Sequence, residues 1–199
     1  MWSEVIRPQT AIGLLVGLLC AQMPAQIPQS TIASYSGSYA NHEYGYEIPI
    51  PEGLTAVGAT PPNPNHGVRI TIPGSMSYIW VDASYTDSSS LTQVEEDALS
   101  GTDELCGTSR KIKRQEAKLS TLRSVHLLLE CTDGNAASIE VVAAIRSAYG
   151  RSNILYEIGV VEGRASPKDK ECKRLMDAIL RQFKLLSLSL NPSGSHGGT

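Results

Sequence analysis

The apolar spacing of this sequence predicts an α+β layered domain, an antiparallel sheet with amphipathic helices packed on it. Two observations carry that prediction. Short stretches of alternating apolar and polar residues, joined by turn signals, recur between residues 44 and 161. Two further stretches repeat apolar residues at spacings of three and four, one between the early and late strands and one after the last strand. The resulting order is strands, a helix, four strands and a closing helix.

The chain opens with a targeting pattern. Arg7 lies in a short polar start, residues 11–20 are an apolar run, and residues 21–25 are mostly small. A cationic start, an apolar stretch of roughly 7–15 residues and a small-residue zone describe a secretory signal peptide. A membrane-spanning helix needs ~20 apolar residues, so this run is too short for one. Cleavage is expected after Ala25, with Ala21 as the alternative. Cys20 follows Leu18 and Leu19, too bulky for a lipoprotein signal, and is expected to leave with the leader. The mature chain is therefore expected to be secreted or periplasmic, with no stable membrane insertion. Residues 26–42 carry Ser, Gln, Tyr and Ala without a period and read as a linker. The folded domain is expected over 43–188, and 189–199 has nothing to bury and reads as a tail.

Within the domain, Tyr44, Tyr46, Ile48 and Ile50 alternate with Gly45, Glu47 and Pro49, a half-buried strand. Pro49 and Pro51 cannot donate to a ladder, which places it at a sheet edge or a strand end. The proline- and asparagine-rich segment 58–67 is a loop. Strands are predicted over 68–72 and 78–85, joined at Gly74-Ser75, with Ile79, Val81, Ala83 and Tyr85 on one face and Trp80, Asp82 and Ser84 on the other. Ser90 and Gln93 form a capping-box pair for a helix to about residue 99, with 106 as a further limit. Strands follow at 110–119, 122–132, 137–145 and 154–161. Ser166 can cap the last helix, Pro167 suits its first turn, and Cys172, Leu175, Met176, Ile179, Leu180 and Phe183 form its apolar face.

The 41% hydrophobic and 19% charged composition is that of a globular protein. A net charge of −3 with both signs dispersed offers no basic stripe for nucleic acid or anionic lipid. Arg110, Lys111, Lys113 and Arg114 read as a solvated strand face. Beyond the leader remain Cys106, Cys131 and Cys172. An exported chain meets oxidants, so one disulfide and one leftover thiol are expected. Three pairings are possible and spacing chooses none of them. We favour Cys106–Cys131, a helix end joined to a strand end, with Cys172 buried as a small apolar residue.

The segment Tyr44-Gly45-Tyr46-Glu47-Ile48-Pro49-Ile50-Pro51-Glu52-Gly53-Leu54 resembles the opening of PsbP-like domains, an aromatic-rich strand running into a Pro-x-Gly turn. The element order matches as well, closing on an aromatic before a short apolar tail, here Phe183-Lys184-Leu185-Leu186. The resemblance covers about residues 42–187. It implies an α/β/α sandwich, a central antiparallel sheet flanked by helices. It also implies an assembly, docking or accessory role rather than an enzyme, and carries no functional residue over.

Catalytic signatures are absent from the sequence. No G-x-S-x-G, phosphate loop or dinucleotide fingerprint occurs, and His42-Glu43 lacks the second His of a zincin because position 46 is Tyr. No catalytic residue, metal ligand or cofactor is assigned. The candidate binding residues are Asn65 and His66, in the proline-rich loop, and Tyr78 and Trp80 beside it. His66 has Asp82 or His126 as possible partners, and His126 itself reads as a hydrogen-bonded strand residue. Tyr35, Tyr39, Tyr44 and Tyr46 are further interface candidates, and Tyr85 is expected in the core. The function expected is that of an exported, non-enzymatic binding or accessory module of the bacterial cell envelope. Its partner would be an envelope protein or a small ligand. The alternative is a small secreted hydrolase or metal-dependent enzyme with a site around His66 and His126.

Overall fold

The computed structural model describes residues 32–58, 66–100, 102–106, 110–132, 136–148, 152–164 and 169–188. The leader, its cleavage site, Cys20, Asn65, Ser166, Pro167 and the tail lie outside these residues. In chain order the strands are β1 (Ser34–Tyr35), β2 (Ser38–Asn41), β3 (Tyr46–Pro49), β4 (Ala56–Gly58), β5 (Val68–Thr71) and β6 (Tyr78–Thr86). Helices α1 (Leu91–Ser100) and α2 (Asp103–Cys106) follow. Then come β7 (Arg110–Leu119), β8 (Leu122–Cys131), β9 (Ala136–Arg146), β10 (Asn153–Gly163), α3 (Asp169–Gln182) and β11 (Lys184–Leu185).

Eight strands make one sheet in the order β1-β4-β5-β6-β10-β9-β8-β7, and β11-β3-β2 make a second sheet. Every pairing is antiparallel. Strand alternation splits the core in two. On the first face, Ile70, Ile79, Val81, Ile154, Tyr156 and Ile158 meet Cys172, Met176, Ile179 and Phe183 of the α3 segment and Tyr39, Tyr46 and Ile48 of the small sheet. On the second face, Val125, Leu127, Leu129, Ile139, Val141 and Leu155 meet Val94 and Ala98 of α1 and Cys106 of α2.

This architecture corrects the α/β/α sandwich. The fold is β-rich: among the described residues eleven strands dominate, and the helices amount to α1, α3 and the single turn of α2. The first face is covered jointly by α3 and a second sheet, and among the described residues helices cover the second face only over part of its width. The expected linker is corrected too. Residues 34–35 and 38–41 are strands, and Tyr39 and Asn41 are buried. Asn41 turns inward because its Oδ1 accepts from the backbone N–H groups of Glu43 and Tyr44, at 3.1 and 3.2 Å.

Local chemistry explains the remaining boundaries. Ser90 Oγ accepts from the N–H of Gln93 at 3.2 Å, while Gln93 Oε1 accepts from the N–H of Ser89 at 2.8 Å, and α1 starts there. Cys106 and Cys131 form the disulfide, with Cα atoms 5.0 Å apart, and Cys172 is buried outside the bridge. The bridge pins the end of α2 to the end of β8. The basic strand β7 is the outer strand of the large sheet, where charge discourages pairing with another chain.

Candidate functional site

Helices α1 and α2 pack on β8 and β9, and among the described residues no helix covers the β4–β5–β6 end of the same face. Alternation brings Tyr78, Trp80 and Asp82 of β6, Arg69 of β5 and Glu157 and Gly159 of β10 onto this face. Trp80 lies directly opposite Gly159. A Cβ built on Gly159 would stand 2.1 Å from Trp80 Cη2, so only glycine lets the indole lie over β10. Trp80 then separates two hollows. One, of about 280 Å³, is enclosed by Tyr78, Trp80, Ala98, Thr102, Leu105 and Glu157. The other, shallower and of about 340 Å³, runs along Val57, Gly67, Arg69, Trp80 and Asp82.

The electrostatics of this groove are unusual for a sheet surface. Asp82 and Glu157 are paired directly across β6 and β10, so two carboxyl groups share one side of the sheet. Burial raises the Glu157 carboxyl to about 7, and the nearby charges of Asp82 and Asp97 push in the same direction. Burial likewise raises Asp82, while His66 pulls it down. No hydrogen bond or ion pair from a described residue reaches the Glu157 carboxylate. On the outer side, the Arg69 guanidinium stands 3.6 Å over the Tyr78 ring.

The structure brings Tyr78 and Trp80 together, with ring centroids 6.4 Å apart. His66 stands at the end of the loop, its ring 5.3 Å from that of Tyr44 and its backbone oxygen accepting from the Tyr46 hydroxyl at 2.9 Å. Asn65 lies outside the described residues. His66 and His126 are not brought together: β5 and β8 are four strand spacings apart, about 19 Å. His126 instead belongs to a chain on the α3 side of the sheet. Gln115 Nε2 meets His126 Nδ1 at 2.8 Å, His126 Nε2 meets Glu140 Oε1 at 2.7 Å, and Lys173 Nζ reaches Glu140 Oε2 at 3.0 Å. These contacts run without a break from Gln115 of β7 through His126 and Glu140 to Lys173 of α3. These bonds hold the Glu140 carboxyl below its ordinary range despite burial. Among the described residues no group of three or more His, Cys, Asp or Glu side chains is placed to hold a metal.

Two expectations about aromatics are overturned. Tyr39, Tyr44 and Tyr46 are buried at 2%, 3% and 0% exposure, so they are core rather than interface. Tyr46 packs 5.8 Å from Phe183 and 5.9 Å from Tyr156, a cluster that joins the two sheets. Tyr85, expected in the core, is 41% exposed and lies over Tyr44 near the end of β6. The sequence reading also passed over Glu157, Arg69 and Gly159. Glu157 lies unremarked within the strand predicted over 154–161, and its place beside Asp82 depends on register.

No family model and no curated protein matches the chain. Among solved structures it is similar to the solution structure of cyanobacterial PsbP (CyanoP) from Synechocystis sp. PCC 6803, at 14% identity and a TM-score of 0.48 over 83% of this chain and 98% of that one. It is also similar to the Saccharomyces cerevisiae Ran-binding protein Mog1p, at 14% identity and a TM-score of 0.46 over 78% of this chain and 96% of that one. The PsbP-like resemblance is one of fold, at low identity, and no site or partner is transferred from it.

Proposed function

We propose that the mature chain is an exported, non-enzymatic binding module whose working surface is the groove around Trp80. The observation that carries this reading is the uncovered end of the second face. A partly exposed indole and a tyrosine wall a hollow there, beside a carboxyl group that burial has moved far from its ordinary range. Gly58 and Gly67, at the two ends of the proline-rich segment, help to line the shallower hollow. Export is supported by the Cys106–Cys131 bridge, because such bonds persist in oxidising compartments. Among the described residues no helix is long and apolar enough to cross a membrane.

The test is a ligand-observed NMR screen of a chemically mixed fragment set against the mature chain and its Trp80→Leu variant. The reading expects hits that compete with one another and disappear in Trp80→Leu, with the variant's thermal unfolding still cooperative. Hits that bind both proteins equally would place recognition elsewhere and overturn it.

A further inference from the structure

Building on the groove reading, we propose that the hollow between Trp80 and α2 takes a small organic cation, an ammonium or quaternary ammonium group on a compact apolar body. The size comes from the cavity, whose volume of about 280 Å³ falls just below the ~300–1,000 Å³ range of drug-sized sites. Its walls are aromatic and aliphatic, with Tyr78 and Trp80 on the sheet side and Ala98 and Leu105 on the helix side. Aromatic faces attract cations through their quadrupole, most strongly where water is excluded.

The sign of the charge comes from the groups that face the hollow. Among the described residues Glu157 is the one carboxylate in its lining, and no described residue bonds to it. Asp82 approaches from β6 and Asp97 from α1, while the β9 residue opposite Glu157 is Ala143, without charge. The Arg69 guanidinium sits over Tyr78 and is not among the lining residues. Among the described lining residues an anion would meet the Glu157 carboxylate and no cation, and a neutral guest would leave the ionised carboxylate without a partner. A cation supplies the missing charge. A divalent metal needs several oxygen ligands, and the described residues provide no such cluster. Glu157 would act as the counter-ion and the two rings as the cage.

The experiment is calorimetric titration of the full mature chain with choline chloride and with its uncharged isostere 3,3-dimethylbutan-1-ol, at pH 8 and pH 6. Choline is expected to bind saturably at pH 8, at least about ten-fold more tightly than the alcohol. Its binding is expected to weaken at pH 6, because the Glu157 carboxyl, held up to about 7, is largely protonated there. Glu157→Gln keeps the shape and removes the charge, so it should abolish the preference for choline and leave alcohol binding unchanged. Equal affinity for the two probes, or choline binding untouched by Glu157→Gln, overturns the proposal. If neither probe binds while fragments in the Trp80 screen do, the cation class falls and the groove reading stands. If those fragments fail as well, both fall.

Discussion

Gly159 is the residue on which the groove's geometry turns. A methyl group there would collide with Trp80 Cη2 and Cζ2, at 2.1 and 2.2 Å, and the indole would have to lift off β10. Gly159→Ala is therefore expected to destabilise the fold by about 1–3 kcal/mol and to shift the Trp80 emission, read by denaturant titration and fluorescence. Unchanged emission would mean that the indole does not rest on β10. Glu157 gives a prediction of opposite sign. Its folded-state value lies above the ordinary 4.5, so its contribution becomes destabilising as pH rises from that value through about 7. Glu157→Gln should raise stability at pH 8 by roughly 2 kcal/mol and leave it nearly unchanged at pH 4, as measured by unfolding at the two pH values. These two residues also mark where sequence reading stopped. Tyr78 and Trp80 were visible as one face of an alternating strand. Glu157 and Gly159 acquired meaning only when the register set them opposite Asp82 and Trp80.

At the level of elements, two ties hold the layers against the sheet. The Cys106–Cys131 bridge closes a separation of 25 residues and anchors α2, which supplies Leu105 to the hollow. Reduction is expected to cost ~3–4 kcal/mol of stability and to weaken ligand binding in the groove, measured by unfolding and titration with and without reductant. On the opposite face, Glu140 of β9 links His126 of β8 to Lys173 of α3. Its lowered folded-state value makes it stabilising above 4.5, and that stability is lost as pH falls through the folded value. Glu140→Gln should cost about 1–2 kcal/mol at pH 7 and flatten the acid side of the stability profile. The long strands and both amphipathic helices were legible because their spacing is regular. Strand β2 was not, because a buried Asn41 interrupts its apolar alternation, and β1, β4 and β11 span only 2, 3 and 2 residues.

For the whole molecule, apolar periodicity identified layers but not how much of each layer helices would cover. The aromatic segment 35–46 looked like a sticky surface because tyrosine is common at interfaces. In the fold it supplies the second sheet and seals the first face, so the open surface falls on the other side. Helices α1 and α2 cover the β8–β9 end of that side and stop short of β5. The working surface is thus a consequence of incomplete coverage, which no single stretch of sequence encodes. Amide chemical-shift mapping of a bound fragment on the mature chain tests this most directly. The account predicts perturbations centred on Tyr78, Trp80, Leu105 and Gly159. Perturbations centred instead on α3 and the His126–Glu140 chain, with the Trp80 region unmoved, would contradict it.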